Sequence, residues 1–190
     1  MSLTNFPGGV SSFGIPVLPG IVPTTGKVFF VHYSTGTNTD KGGLSPDQPL
    51  KTIDYAIGLC TASKGDTILV MPGHSESISG AGAITADVAG VSIIGLGRGN
   101  LRGLITLHTT ATTIAISAAN VTFQNLRIAT DVDAVVKVFN VTAAGATLDA
   151  VDFVETASCA ALQFVLTSAA ADDLVVQNCS WVQSQTAATA

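Results

Sequence analysis

The chain has 190 residues, of which 47% are hydrophobic and only 11% are charged, and its formal net charge is −5. Its eight Lys and Arg residues form no basic stripe, so nucleic-acid binding is not expected. No membrane span or signal peptide is predicted, because no apolar run reaches about 20 residues and the first residues lack a basic region followed by an apolar one. A surface so poor in charge is expected to be mostly Ser, Thr, Ala and Asn, or to be partly covered by a partner. The cysteines form no CxxC pair and are expected to be buried, reduced thiols: Cys60, Cys159 and Cys179.

Residues 1–26 are predicted to form an extended arm, because Pro and Gly recur there without periodicity and no charged residue occurs. The segment contains too many apolar residues for a solvated linker, which is normally polar. We therefore expect the arm to pack on its own domain, on a sister subunit or on another protein. The residues expected to make these contacts are Phe6, Phe13, Ile15, Val17, Leu18 and Ile21.

Residues 27–63 are predicted to cap a larger domain. A strand is expected over Lys27–Tyr33, and a turn-rich loop follows it. The stretch LKTIDYAIGLCTA has apolar residues at offsets of three and four, which predicts a short amphipathic helix. The face of this helix that is expected to be buried consists of Ile53, Ala56, Ile57 and Cys60.

Residues 64–190 repeat one outline, in which a turn residue precedes alternating apolar and polar residues. The aligned turn residues, at steps of 25, 30, 25 and 28 positions, are Gly65, Gly90, Asn120, Gly145 and Asp173. The strands predicted after them are Thr67–Met71, Val91–Leu96, Val121–Ile128, Ala146–Phe153 and Leu174–Trp181. A second series recurs at steps of 25 residues and consists of Ile114 with Ile116, Phe139 with Val141, and Phe164 with Leu166.

Short strands that recur every 25 to 30 residues without intervening helices predict an all-β fold, a parallel β-helix of about five coils. The turns need residues that accept positive φ, which explains the Gly, Asn and Asp at the aligned positions. Inward positions of successive coils should stack in columns. One predicted column is Val91, Val121, Ala146 and Leu174, and the next is Ile93, Phe123, Leu148 and Val176. The alternative fold is a β-sandwich or jelly roll, which predicts hairpin turns and no fixed period.

Two stretches, VFFVHYSTGTNTDKGGLSPDQPLKTIDYAIGLC and GDTILVMPGHSESI, resemble the N-terminal module of right-handed parallel β-helix proteins of the pectate-lyase-like superfold. The arm sequence NFPGGVSSFGIPVLPG joined to this module is similar to that of tailed-phage virion proteins that carry a short β-helix. The resemblance implies a short right-handed β-helix and association of three rods about a threefold axis. The superfold hosts lyases, hydrolases, tailspikes and capsid-bound trimers, so the fold alone does not decide the function.

Lyases of this superfold use an aspartate cluster for calcium and an arginine base, and this resemblance selects the acids and arginines of the coils as candidates. They are Asp149, Asp152, Glu155, Asp172 and Asp173, with Arg98, Arg102 and Arg127. Asp149 and Asp152 lie an odd number of positions apart and should face opposite ways, whereas Asp149 should lie beside Gln177. The register brings no two carboxylates to one groove, as glycoside hydrolysis requires. We therefore interpret these residues as solvated turn and outer-face residues and predict no catalytic residue.

No metal or cofactor site is predicted either, because the histidines share no metal-ligand spacing. His32 is expected on the outer face of its strand and His74 in a turn, and the third histidine is His108. Asn38 and Asp40 resemble the start of a calcium loop without its remaining ligands, so we interpret them as a turn with Asx hydrogen bonds. Aromatic residues that might line a sugar groove are few: Tyr33, Tyr55 and Trp181.

The leading hypothesis is a non-enzymatic structural protein of a phage virion. It would be a homotrimeric capsid decoration or cement protein, made in the host cytoplasm and located on the capsid surface. Residues 1–26 would dock by apolar burial on the major capsid protein or another virion protein. The residues after Trp181 are too small and polar to cap a coil, so a partner is expected to cover its end. The alternatives are a glycan-binding tailspike module or degenerate polysaccharide lyase, and the N-terminal portion of a longer tail or fibre protein.

Overall fold

The computed structural model describes residues 26–155 and 159–182, together with the backbone of residues 11–12 and 15–16. The helix α1 spans Ile53–Leu59, and a 3₁₀ turn spans Gly99–Leu101. In chain order, the strands are β1 (Ser11–Ser12), β2 (Ile15–Pro16), β3 (Val28–Val31), β4 (Thr67–Val70), β5 (Ser75–Ile78), β6 (Ile84–Ala86), β7 (Ser92–Gly95), β8 (Leu104–Leu107), β9 (Ile114–Ile116), β10 (Thr122–Gln124), β11 (Arg127–Thr130), β12 (Phe139–Val141), β13 (Thr147–Asp149), β14 (Asp152–Glu155), β15 (Val165–Thr167), β16 (Val175–Gln177) and β17 (Ser180–Val182).

From β3 onward, the strands build three sheets that the chain visits in turn. The first sheet has the order β3–β4–β7–β10–β13–β16, the second β5–β8–β11–β14–β17, and the third β6–β9–β12–β15. Neighbouring strands are parallel, and the chain winds as a parallel β-solenoid of about four turns. The all-β parallel β-helix prediction is confirmed, and the sandwich alternative is wrong. The expected five coils become about four because, within the described residues, the third sheet has only four strands.

The core is a stack of apolar side chains in register. The first sheet aligns Ile93, Phe123, Leu148 and Val176, as predicted, and the first three are fully buried. The Phe123 ring meets Phe139 of the third sheet edge-on, with 5.5 Å between the ring centroids. Because a column requires only an apolar side chain of suitable size, the coils share an outline but few identical residues.

The turns that lead from the third sheet into the first have the predicted chemistry. All of the aligned turn residues have positive φ: Gly65 (71°), Gly90 (74°), Asn120 (58°), Gly145 (71°) and Asp173 (56°). At Gly145 a Cβ atom would lie 2.4 Å from Asn120 Oδ1, so the Asn120 side chain would have to move, and the left-handed conformation itself favours glycine.

A second set of left-handed residues divides three of the predicted strands. Asn125, Ala150 and Asn178 have φ values of 55°, 53° and 53° and form the corner between the first and second sheets. The predicted strands Val121–Ile128, Ala146–Phe153 and Leu174–Trp181 are therefore each two strands: β10 with β11, β13 with β14, and β16 with β17. The prediction was wrong here because Ala150 is not a turn-type residue, and because the isolated Asn125 and Asn178 were read as strand residues although Asn accepts positive φ.

The predicted alignment of Phe164 and Leu166 with Phe139 and Val141 is also wrong, by one residue. Strand β15 pairs Val165 with Phe139 and Thr167 with Val141, whereas Phe164 and Leu166 were expected at these positions. The connection between β14 and β15 is one residue longer than the connection between β11 and β12, which shifts the register. Phe164 still packs against Phe139, with 5.6 Å between the ring centroids.

The predicted cap is formed by β3 and α1. Strand β3 adds to the first sheet by pairing with β4. Helix α1 begins after the N-cap Thr52, whose side-chain oxygen accepts a hydrogen bond from the Tyr55 backbone N–H. The helix buries the predicted apolar face, and the face ends at the C-cap Cys60, which is half-buried. In the arm, the structure describes only the backbone pairing of β1 with β2.

Candidate interaction surfaces

The last turn of the solenoid exposes side chains at core positions. Val176 aligns with the buried Leu148 and Trp181 with the buried Phe153, yet these side chains are 46% and 39% exposed. In the described part of the chain, no strand pairs with the outer edges of β16 and β17. We name the exposed core positions Val176 and Trp181 the open coil end. Leu166, Val175 and Val182 are also exposed, on the outward side of the last strands. Exposed apolar side chains of this kind are typical of interaction sites.

Trp181 partly closes the open coil end. Its ring meets Phe153 edge-on at a centroid distance of 5.6 Å and lies 6.1 Å from the Phe164 ring. The indole Nε1–H donates to Glu155 Oε1 at 3.0 Å. Glu155 lies two positions after Phe153 on the same strand, so both side chains face inward and Glu155 is buried. The prediction that Glu155 is a solvated outer-face residue is therefore wrong. Trp181 terminates the core and does not line a groove.

The outer face of the first sheet carries an apolar strip beside the point where the arm begins. Strands β3, β4 and β7 align Phe30, Leu69 and Ile94 on the face opposite to the core residues Ile68 and Ile93. We name these three residues the outer strip. Leu69 is only 1% exposed, although it does not belong to the core cluster.

Asp66 fixes the point at which the arm leaves the solenoid. Its Oδ1 accepts a hydrogen bond from the Lys27 backbone N–H at 2.6 Å, and its Oδ2 accepts one from the Thr61 backbone N–H at 2.7 Å. Gly26 passes so close that a Cβ atom there would lie 2.4 Å from Asp66 Oδ1. The buried carboxylate thus joins the start of β3 to the turn after α1.

A second buried polar group joins α1 to β5. Glu76 Oε2 accepts a hydrogen bond from the backbone N–H of Ile53 at 3.1 Å and lies 3.1 Å from His74 Nε2. His74 Nδ1 accepts from the Tyr33 backbone N–H, so the proton is on Nε2 and is donated to Glu76. His74 follows the turn at Pro72, as predicted, but its ring is buried and supports the cap.

Cys60 packs beneath the cap as an unreactive thiol. Its Sγ donates to the Ala56 carbonyl at 3.3 Å. Burial, followed by the nearby charge of Asp66, raises the pKa of Cys60 to about 12. The thiol is therefore protonated at neutral pH. The prediction that the cysteines are mostly buried is wrong, since Cys60, Cys159 and Cys179 are each half-buried.

Asp149 and Asp152 both face outward, on the two sides of the corner at Ala150, so the prediction that they face opposite ways is wrong. Side chains alternate between the two faces only within one strand, and the left-handed Ala150 ends one strand before the next begins. Asp149 pairs with Gln177 in register, as predicted. Its two carboxylate oxygens accept hydrogen bonds from Gln124 Nε2 at 3.0 Å and Asn178 Nδ2 at 2.8 Å.

Asp152 forms an ion pair with Arg102 and accepts a hydrogen bond from Ser180 Oγ at 2.8 Å. Burial, followed by the charge of Arg127, lowers the pKa of the Arg102 guanidinium. We name Arg102, Arg127, Asp149 and Asp152 the polar corner. Each carboxylate oxygen in it already accepts a hydrogen bond or ion pair from the protein. The remaining candidates lie in turns or loops: Arg98, Asp172 and Asp173.

Asn38 and Asp40 hold the loop before α1 in place. Asn38 Oδ1 accepts hydrogen bonds from the backbone N–H groups of Lys51 at 2.9 Å and Thr52 at 3.2 Å. Asp40 accepts a hydrogen bond from the Tyr55 hydroxyl at 2.7 Å, and this bond raises the pKa of Tyr55. Among the described residues, no three His, Cys, Asp or Glu side chains converge as metal ligands do.

The other two histidines have local partners. His32 Nδ1 lies 2.8 Å from Thr35 Oγ1 just beyond β3. His108 Nδ1 lies 2.6 Å from Asp131 Oδ2, and both of these side chains are exposed. Sequence reasoning did not pair His108 with Asp131, because their proximity depends on the stacking of two coils.

A shallow groove of about 480 Å³ crosses the outer face of the third sheet. Its lining includes Ala81, Ala111, Ala115, Val136 and Asn140. Side chains this small allow the backbone of another rod to approach closely, and Val136 is half exposed.

The predicted arm contacts lie almost entirely outside the described residues. The backbone of Ile15 pairs with Ser12. The other predicted contact residues lie outside the described residues: Phe6, Phe13, Val17, Leu18 and Ile21. These contacts stay predictions.

Sequence reasoning missed Glu76 and the outer strip, although signals for both were present. Glu76 has the same even spacing from Ile78 that marks an inward position. The strands VFFV and TILV are continuous apolar runs, which are typical of parallel strands buried on both faces.

No known protein family, curated protein or solved structure matches the chain. In the residues that the structure describes, no helix has the length and apolar content needed to cross a bilayer.

Proposed function

We propose that this protein is a non-enzymatic structural component of a phage virion, a homotrimeric decoration protein that docks on the capsid through residues 1–26. The observation that carries the proposal is the open coil end, where the core positions Val176 and Trp181 are exposed. A solenoid with an apolar end is stable against aggregation when another protein covers that end. The virion assignment draws on the resemblance of the arm and of residues 28–60 and 65–78 to phage β-helix proteins.

The groove on the third sheet supports side-by-side association of rods. Its small side chains, such as Ala111 and Ala115, leave room for a neighbouring backbone. Only 11% of the chain is charged, so little charge repulsion opposes the approach of identical subunits. Three rods related by a threefold axis would bury this surface.

The hydrogen bonding of the polar corner favours a structural role over catalysis. A general acid or base needs a carboxylate oxygen free to reach the substrate. The oxygens of Asp149 and Asp152 are instead bound by Gln124, Asn178, Ser180 and Arg102.

A glycan-binding tailspike module or degenerate polysaccharide lyase is the second candidate, and the polar corner is the observation that favours it. Arg102 and Arg127 lie close together on the outer surface, where they would attract an acidic sugar polymer. This reading predicts that the double variant Arg102→Ala, Arg127→Ala loses binding to an acidic polysaccharide in a pull-down. A third candidate is a segment of a longer tail or fibre protein, in which further coils would cover Val176 and Trp181.

The proposal is tested by docking on phage heads that lack the protein. Deleting residues 1–22 removes only β1 and β2 of the described strands, so the chain should still show the circular dichroism spectrum of a folded β-solenoid but no longer sediment with the heads. The double variant Phe6→Asp, Phe13→Asp should also abolish docking, because a charged side chain cannot be buried without a partner. The matched control Asn5→Asp, Ser12→Asp adds the same charge and should still dock. Docking by the deleted chain would contradict the proposal.

A further inference from the structure

The first sheet changes character along its outer face. One outward column reads Phe30, Leu69, Ile94, Gln124, Asp149 and Gln177 from the cap to the open coil end. Its first half is therefore apolar and its second half polar, whereas the inward columns are apolar throughout. Parallel strands that are apolar on both faces are normally covered on both faces.

Burial on this face is complete only at the middle strand of the strip. The outward residues of β4, Thr67 and Leu69, are 4% and 1% exposed. The flanking strip residues Phe30 and Ile94 are half-buried, as is Gln124 in the polar half. Leu69 thus has the burial of a covered side chain, although it lies apart from the core cluster.

The arm begins beside this strip. Gly26 is anchored against Asp66, two residues before the first residue of β3. The strip lies four positions beyond Gly26 along the strands and crosses two strand spacings, so its far residue Ile94 is about 16 Å from Gly26. An extended segment reaches about 14 Å from Gly26 to Val22 and about 17 Å to Ile21, so Val22 can reach Phe30 and Leu69 and Ile21 can reach the whole strip.

We propose that the segment around Ile21 and Val22 covers the outer strip of its own chain. This segment is uncharged and apolar, as the strip is, and a short tether gives it an effective concentration in the millimolar range. The arm then has two parts. The part next to Gly26 belongs to the solenoid, and the part with Phe6 and Phe13 is left to contact other proteins. The inference does not depend on the virion assignment.

Engineered disulfides test the position of the segment. In a background with all three native cysteines replaced by Ala, Val22→Cys is combined with Ile94→Cys on the strip or, as the control, with Ala115→Cys on the outer face of the third sheet. Ile21→Cys is tested in the same two combinations, because only one of the two neighbouring side chains need face the strip. Under mild oxidation, at least one strip pair should close within single chains about tenfold faster than its control, owing to the proximity of the tethered segment. Equal rates for strip and control pairs, or disulfides formed only between chains, would overturn the proposal.

Thermal unfolding gives a second, independent readout. Leu69→Thr should lower the Tm of the full chain, because it places a hydroxyl under the covering segment. The same substitution in the chain without residues 1–22 should change the Tm much less, since residue 69 is then open to water. Equal Tm shifts in the two backgrounds would show that the segment does not cover Leu69.

Discussion

At the scale of single residues, buried carboxylates terminate the core at the capped end. Strand edges and helix starts leave backbone N–H groups without partners, and such groups are costly to bury unsatisfied. Asp66 and Glu76 supply acceptors for three of these groups, those of Lys27, Ile53 and Thr61. The cap is therefore attached by hydrogen bonds as well as by apolar packing.

Asp66→Ala should lower the free energy of unfolding substantially. It removes the acceptor for two backbone N–H groups, and each buried unsatisfied group costs about 1–3 kcal/mol. The control is Asp87→Ala, since Asp87 is exposed. Urea denaturation measures both variants, and equal stability of the two would contradict the role assigned to Asp66.

The raised pKa of Cys60 predicts a pH dependence of stability. The unfolded thiol ionises near pH 8.5, whereas the folded thiol keeps its proton up to a pKa of about 12. Between these values the folded state binds more protons, so the contribution of Cys60 to stability is fully present below the lower value and is lost progressively as the pH rises above it.

The measurement compares wild type with Cys60→Ala by urea denaturation from pH 8 to pH 10.5. The wild type should lose more stability than the variant over this range, and parallel curves would contradict the assignment. Iodoacetamide should also modify Cys60 far more slowly in the folded chain than in urea, as read by peptide mass spectrometry.

At the scale of elements, each coil depends on left-handed residues that fix where its strands begin. Gly145→Ala should destabilise by about 1–2 kcal/mol, the cost of the left-handed conformation, and should displace the Asn120 side chain, whose Oδ1 lies 2.4 Å from the added Cβ. Gly58→Ala is the matched control. Gly58 is exposed within α1 with no atom within 4 Å of the added Cβ, so Ala should stabilise by about 0.5–1 kcal/mol. Changes of the same sign in Tm would contradict this account.

Glu76 should control the stability of α1 separately from that of the far coils. Glu76→Ala removes the acceptor for the Ile53 N–H, so hydrogen exchange should accelerate over Ile53–Leu59 more than over β13. Glu76→Gln retains a side-chain oxygen at this position and should have a smaller effect. Uniform acceleration along the whole chain would show that Glu76 does not act on the helix locally.

The parts of the fold that could be predicted are the turns whose backbone conformation restricts the type of residue. Gly145 and Asn120 mark turns because the left-handed conformation selects their types. Ala150 carries no such mark, so the corner at residue 150 was missed and the faces of Asp149 and Asp152 were wrongly assigned. The even spacing of Glu76 from Ile78 and of Glu155 from Phe153 marked both positions as inward. The sequence analysis missed them because the partners that allow a carboxylate to be buried come from distant elements, which spacing does not show.

At the scale of the whole molecule, the two ends of the described solenoid differ: α1 and β3 cover the first coil, whereas core positions of the last coil, in the residues described up to Val182, are exposed. The exposed core positions are Val176 and Trp181. This asymmetry favours a rod that is attached in one orientation within a larger assembly.

A homotrimer is expected in solution for the isolated full-length protein. The third-sheet groove is lined by small side chains and by Lys137, so bringing identical grooves together should be favoured by salt, which screens the repulsion between the lysines. Sedimentation equilibrium at low and high salt measures the mass directly. Val136→Lys should shift the protein towards monomer, and a monomeric wild type would contradict the trimer.

The central claim, that this is a structural virion protein, is tested most directly by its copy number on purified particles of the source phage. Quantitative mass spectrometry, with antibody-gold labelling to locate the protein, makes this measurement. The account predicts many copies in multiples of three spread over the head. A few copies at the tail, or none in the particle, would contradict it.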